Sequence, residues 1–191
     1  RYAGKEGTIV DRDFARNAMT VEWDDGTSEA VGPEYLGMTL HTPKYENEYF
    51  LLGDSIIDIL SIVESTFSFD NIRIFTDFQE TEKSFGNTNE FGQIIFSILN
   101  NARDIFRIRN IQNPQIKIEL TDKKCSIVDN GGGIAPENLE DIFLPFFSSH
   151  HSTGTGLYLA KQIAEKNNAV LSVENNQEGA KFTVEFLTWL E

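Results

Sequence analysis

At 191 residues, with 40% hydrophobic residues including 15 Phe, the chain has room for one domain with a real core and a small appendage. A formal charge of −14 excludes a surface that binds phosphate backbones as a whole, so a nucleotide would be held by local devices: backbone amides, a helix N-terminus or a metal ion. The single cysteine, Cys125, falls in a predicted strand, which points to a buried structural thiol and excludes an intrachain disulfide; with no visible signal peptide and no apolar run near the about 18 residues of a membrane span, a reducing cytoplasmic setting without membrane contact is expected.

In chain order, residues 1–40 form a small β-rich module. Gly7 to Val10, Met19 to Trp23 and Ser28 to Val31 are short β-branched and aromatic runs, and Asp24-Asp25-Gly26-Thr27 is a hairpin turn signal. Their pattern resembles a fragment of a small SH3-like or Tudor-like barrel. Glu22, Asp24 and Asp25 read as a solvated hairpin tip sooner than as a metal cluster. The module is a docking module, a dimerisation element or a fusion segment. A linker containing Pro43 spans 41–47, and a second domain occupies 48–191.

The second domain opens with a strand over Glu48 to Leu52 and a helix capped by Asp54 or Ser55. Ile72, Ile74 and Thr76 alternate on a strand, and Phe78 to Asn89 reads as a loop. From Thr88 to Phe106 the apolar positions recur with helical period. Ile94, Ile95, Ile98, Leu99, Ala102, Ile105 and Phe106 share one sector. Ser97, Asn101 and Asp104 line its edge, as polar groups that either meet water or face a cleft as oxygen ligands suited to Mg²⁺ and phosphates. Gln115 to Leu120 and Lys124 to Val128 form a hairpin.

At Asp129 the strand ends in an acid followed by Asn130 and three glycines, 131 to 133. An ordinary turn explains this, as does a carboxylate accepting from a ligand pressed against bare backbone. Pro136 to Phe143 reads as one short helix and Leu144 to Thr153 as a loop. Gly154 and Gly156 precede a helix to about Asn167, with Leu157, Leu159, Ile163 and Ala164 as its apolar contacts. A glycine loop feeding a helix start offers free amides and a positive dipole end to phosphate. Val170 to Val173 and Lys181 to Leu187 close the chain as strands. The fold class is α+β: a two-layer sandwich, helices on one face of a mixed sheet, preceded by a small all-β module.

Four segments stand in order: N-N-A-R-D on a helix, D-N-G-G-G-I after a strand, I-F-L-P-F-F before a loop and S-T-G-T-G-L-Y-L opening a helix. Together, over about 48–187, they resemble the ATP-binding catalytic domain of sensor histidine kinases, within the gyrase, Hsp90, histidine kinase and MutL superfamily. The resemblance implies a Bergerat-type fold with ATP between the helices under a flexible lid. Asn101 matches the Mg²⁺-coordinating asparagine. Asp129 matches the acid that accepts from the adenine amino group, with Gly131, Gly133 and Ile134 in its box. Phe143 and Phe146 match the aromatics flanking the lid, and Thr153, Gly154, Gly156 and Leu157 match the second glycine box. The cofactors implied are ATP and Mg²⁺. The partners implied are a histidine-bearing helical hairpin and a response regulator, with no nucleic acid, and any dimer would form through the hairpin or the N-terminal module.

Three positions depart from the pattern. Ser97 stands where kinases usually carry an asparagine and hydrolytic relatives a glutamate, and a serine hydroxyl is a poor base at neutral pH. Ser152 replaces a glycine. His150 falls at a common lysine position, although a solvated loop histidine is the plainer reading of both His150 and His151. No catalytic residue is assigned with certainty; Ser97 and Asp104 would act from behind the ligands. None of the three histidines sits on a helical hairpin, so this chain is expected to bind ATP without phosphorylating itself. The alternatives are a nucleotide-binding regulatory module, an ATP-driven clamp of the MutL or Hsp90 kind, which the missing glutamate disfavours, and a non-nucleotide protein whose front module is the working part.

Overall fold

The computed structural model describes residues 7–13, 18–23, 27–31, 47–147 and 154–187. The chain divides into two compact units, Arg1–Lys44 and Tyr45–Glu191. In the first, β1 (Gly7–Asp13), β2 (Ala18–Trp23) and β3 (Ser28–Val31) pair as an antiparallel meander, with a register slip between Ile9 and Asp11. No barrel closes among the described residues. Asp24, Asp25 and most of the linker lie outside them.

The second unit is built on a sheet ordered β5-β7-β8-β10-β9. Its strands are β5 (Arg73–Phe78), β7 (Gln115–Thr121), β8 (Lys124–Asp129), β9 (Ala169–Asn175) and β10 (Ala180–Phe186). Only β5 and β7 run parallel. Alternation along β7 buries Ile116, Ile118 and Leu120 on the inner face, against Cys125 and Ile127 of β8 and Phe182, Val184 and Phe186 of β10. Burial pushes the Cys125 thiol up, keeping it protonated and inert. The outer face is polar: Lys117–Glu119, Lys124–Glu185 and Lys181–Glu174 pair there.

Three helices cover the inner face: α1 (Leu52–Phe69), α2 (Thr88–Ile108) and α3 (Gly156–Lys166). The helical period of α2 buries Phe91, Ile94, Ile95, Ile98, Leu99, Ala102 and Phe106. Ala160 and Ala164 of α3 are fully buried, and side chains this small permit a close helix approach. Phe50, Phe91 and Phe186 pack with ring centroids 5.7–6.0 Å apart, joining a strand, a helix and the sheet. Among the described residues no helix is long and apolar enough to cross a membrane.

Several local expectations are corrected. The first strand of this unit, β4, stops at Phe50, and α1 begins at Leu52 with Leu51 as N-cap, so neither Asp54 nor Ser55 caps it. The cap comes from a distance: the Leu52 and Gly53 N–H groups donate to the two oxygens of Glu80 at 2.9 and 3.0 Å. The segment read as a loop contains β6 (Ser84–Gly86), which pairs with β4 (Glu48–Phe50). Pro136 to Phe143 is two single 3₁₀ turns, Pro136–Asn138 and Asp141–Phe143. Leu159 is 52% exposed and not a core contact of α3.

Glu80→Ala orphans two N–H groups at a positive helix end and should cost about 1–2 kcal/mol. A lower urea midpoint at unchanged slope is the expected measurement. Asp70 supplies a second check. Burial raises its pKa, but hydrogen bonds and charge from Arg103 and Arg107 outweigh this and hold the carboxyl below its ordinary value. Its contribution is therefore complete above the unfolded-state pKa and is lost as the pH falls through the lower folded one. Asp70→Asn should lose less stability than the parent over that acid window.

Candidate functional site

Asp129 ends β8, an interior strand, and is only 6% exposed. Its Oδ1 accepts from the Gly131 N–H at 2.8 Å and the Ala180 N–H at 3.3 Å. No described group donates to its Oδ2. Burial raises its pKa above the ordinary Asp value, opposed by those two N–H groups and the Arg109 charge. Such a carboxylate is half-satisfied, and its second oxygen is available to a donor from a ligand. Gly179 permits the arrangement: a Cβ there would lie 2.0 Å from the Asp129 carbonyl oxygen.

The following backbone is held from several directions. Asn130 is tied to the start of β7, its Oδ1 accepting from the Gln115 N–H and its Nδ2 donating to the Asn113 carbonyl. Gly132 and Gly133 adopt φ of +85° and +73°, the left-handed region that excludes most side chains. Arg109 donates to the carbonyls of Gly131 and Gly133, and Asn175 pairs with both the N–H and the carbonyl of Ile134. Ile134 itself is half-buried against the core.

Gly131 lies against the last turns of α2: a Cβ on it would be 2.9 Å from Ile105 Cγ2. One turn before Ile105 is Asn101, and one turn before that is Ser97. Both are half-buried, Asp104 is exposed, and none of the three side chains makes a hydrogen bond with another described residue. Ser97 also lines an open groove of about 870 Å³ between the helices, shared with Ile59 and Ile62 of α1 and Leu159 and Ile163 of α3. The polar row thus runs from the glycine turn towards α3. Among the described residues no group of three His, Cys, Asp or Glu is placed to hold a metal. The Asn101 amide oxygen is a fitting neutral ligand for a hard cation whose other ligands are phosphate and water oxygens.

The remaining expected residues divide by environment. Phe143 is buried, edge-on to Phe182 at 6.5 Å, with the Lys161 ammonium 4.6 Å from its ring centroid. Phe146 is 81% exposed at φ 65°, and its N–H donates to the Gly154 carbonyl at 3.0 Å, closing the neck of the loop between them. Gly156 opens α3, and no described atom lies within 4 Å of where its Cβ would be. Leu157 is half-buried against the core. His150, His151, Ser152 and Thr153 lie outside the described residues.

Sequence reasoning missed the contacts that fasten this frame. Arg109 carries no motif signal in the sequence, and Asn175 falls at the turn between the last two strands. Asn87, Glu90 and Asn167 form a third fastening. The Asn87 N–H donates to Asn167 Oδ1 at 2.7 Å, while Asn167 Nδ2 donates to Glu90, tying the start of α2 to the end of α3. Lys166 pairs with the same carboxylate.

A family model described as histidine kinase-, DNA gyrase B- and HSP90-like ATPase matches residues 86–189. The two-component sensor PprA of Pseudomonas aeruginosa is 33% identical over 113 residues, which cover 52% of this chain and 12% of PprA. The histidine protein kinase SaeS of Staphylococcus aureus is 29% identical over 163 residues, 77% of this chain and 45% of SaeS. The chain therefore spans less than half the length of these curated relatives. Among solved structures, a nucleotide-free catalytic domain of histidine kinase ThkA superposes with a TM-score of 0.65 at 26% identity, covering 74% of this chain and 95% of that one.

Because burial holds the Asp129 pKa above its ordinary value, its ionised form costs the folded state stability, a cost absent below the ordinary Asp pKa that grows as the pH rises from there to the shifted pKa and is complete above it. Asp129→Asn keeps an acceptor for the Gly131 N–H and removes the buried charge. The variant should be at least as heat-stable as the parent at neutral pH, and the difference should shrink on acidification through that range.

Proposed function

The chain belongs to the histidine kinase-, DNA gyrase B- and HSP90-like ATPases, and from that premise we propose that residues 48–187 bind Mg²⁺-ATP as the catalytic domain of a two-component sensor histidine kinase. The observation that carries this reading is the half-satisfied carboxylate of Asp129 beside a backbone turn, at one end of a polar row whose other end adjoins α3. Ile105, which touches the turn, and Ser97 are eight residues apart, about 12 Å along a helix. Base and phosphates of one nucleotide fit opposite ends of that row.

The roles follow from position. The open oxygen of Asp129 accepts from the adenine amino group, against the backbone of 131–134. Asn101 holds Mg²⁺ through its amide oxygen, and the ion neutralises charge on the phosphates when bound. Gly156 lets phosphate approach the amides and positive end of α3. Gly154 is assigned to the same phosphate cradle, and Phe146 to the edge of the lid.

The γ-phosphoryl group goes to a histidine on a helical hairpin outside this chain: the bond from phosphorus to the ADP oxygen breaks as a bond to an imidazole nitrogen forms. From there it passes to a response regulator. Ser97 offers no general base for water, so the site holds ATP without spending it. A regulatory module, in which ATP sets lid shape and partner affinity, is the second reading. Ser97 favours it, as does His150, which stands at a common lysine position.

Calorimetry should give a micromolar-range ATP affinity that depends on Mg²⁺ and loses that dependence in Asn101→Ala. Asp129→Asn should weaken ATP by about tenfold or more, or about 1.4 kcal/mol. In the parent, ATP affinity should fall as the pH drops through the raised Asp129 pKa. No binding of ATP or ADP to the folded chain would end the proposal. Steady phosphate release abolished by Asn101→Ala would replace it with the clamp reading. A histidine-bearing hairpin supplied in trans should acquire acid-labile phosphate, and its failure to do so would favour the regulatory reading.

A further inference from the structure

A glycine turn that meets its ligand with bare backbone recognises by shape, yet glycines have the most conformational freedom to lose. The shape at 131–134 must therefore be imposed from outside. Arg109, the C-cap of α2, aims a single guanidinium nitrogen at two carbonyls of the turn, Gly131 and Gly133, the second at 2.9 Å. Pointing alternate carbonyls at one donor fixes the curvature between them. Asn175, the last residue of β9, treats Ile134 as a sheet partner: its Oδ1 accepts from the Ile134 N–H at 2.8 Å and its Nδ2 donates to the Ile134 carbonyl at 2.6 Å. Between these, the Gly132 N–H donates to the Glu178 carbonyl at 2.9 Å. The turn is thus stitched to the end of α2 on one side and to the β9–β10 connection on the other.

Arg109 and Asn175 are both exposed, and neither is part of the core. Side chains on the surface usually contribute little to global stability. All four of their bonds go to the turn that flanks Asp129 or to its last residue.

We propose that Arg109 and Asn175 are positioning residues of the adenine site, holding the 131–134 backbone in the one shape that admits the base alongside the open oxygen of Asp129. This rests on the adenine-reading role proposed for Asp129. The side chains touch no nucleotide themselves; they act through the turn.

The test uses the full chain as parent, Arg109→Ala, Arg109→Lys, Asn175→Ala and Asp129→Asn, with ATP, adenosine and inorganic tripolyphosphate titrated by calorimetry and thermal unfolding recorded for each. Arg109→Ala and Asn175→Ala should weaken ATP and adenosine by the same factor, about tenfold, leave tripolyphosphate unchanged and unfold within a few degrees of the parent. Arg109→Lys should recover part of the loss, since an ammonium also reaches two carbonyls. Combined with Asp129→Asn, Arg109→Ala should add little, as expected of residues acting on one contact. Unchanged adenosine affinity in both alanine variants overturns the proposal. An equal loss of tripolyphosphate affinity overturns it too, placing the effect at the phosphate end. So does failure of both variants to fold, which would make these contacts part of the fold. A parent that binds no ATP refutes the nucleotide reading itself, and that result is visible before any variant is made.

Discussion

The close approach of Gly179, the residue just before β10, to the end of β8 is the constraint on which the site depends. Here the Asp129 carbonyl fills the space that a Cβ would need on Gly179, at the entry to β10. That approach brings the Ala180 N–H to the Asp129 carboxylate and, with the Gly131 N–H, satisfies one oxygen only. The price is a buried charge that two backbone N–H groups and one arginine incompletely offset. A site of this kind trades folded stability for a vacant acceptor, and the surrounding frame of α2, β7 and the β9–β10 connection keeps the trade from collapsing.

Around that acceptor the fold assigns different work to neighbouring motif residues. Phe143 and Phe146 flank the same loop, yet one is locked into the core against Phe182 and the other stands in solvent with a left-handed backbone. Ser97 and Asn101 are one helical turn apart, yet Ser97 borders the open groove and Asn101 does not. The turn at 131–134, the proposed base end, is therefore well specified by contacts among described residues, whereas the proposed phosphate end has few such contacts: no described atom fills the space beside Gly156, and the Ser97 and Asn101 side chains bond no described residue.

What the sequence discloses and what it hides follow a physical divide. The 3.6-residue period of α2 and the alternation of β7 are local patterns, and both elements stand where they were expected. The acid-and-glycine signature at Asp129 is also local and marks the turn at the end of β8. Hidden were the contacts that cross the chain. Arg109 meets Gly133 across 24 residues and Asn175 meets Ile134 across 41, with no periodic signal to announce either. The same holds for Glu80, which caps α1 from 28 residues away and displaces the Asp54 or Ser55 cap that local rules favour. Strand β6 was missed because Ser84–Gly86 is too short and too polar to read as a strand without its partner β4.

The one parallel pair in the main sheet has a consequence for how the site comes into being. Strands β5 and β7 are joined by the segment that contains α2, so the edge strand cannot pair in its native register until the chain between has been laid across the sheet. The helix that carries Ser97 and Asn101 is therefore the crossover itself, and not an element added to a finished sheet. Placing α2 and pairing β5 with β7 are thus linked through one stretch of chain, so the helix carrying the polar row is positioned by the same connection that completes the sheet.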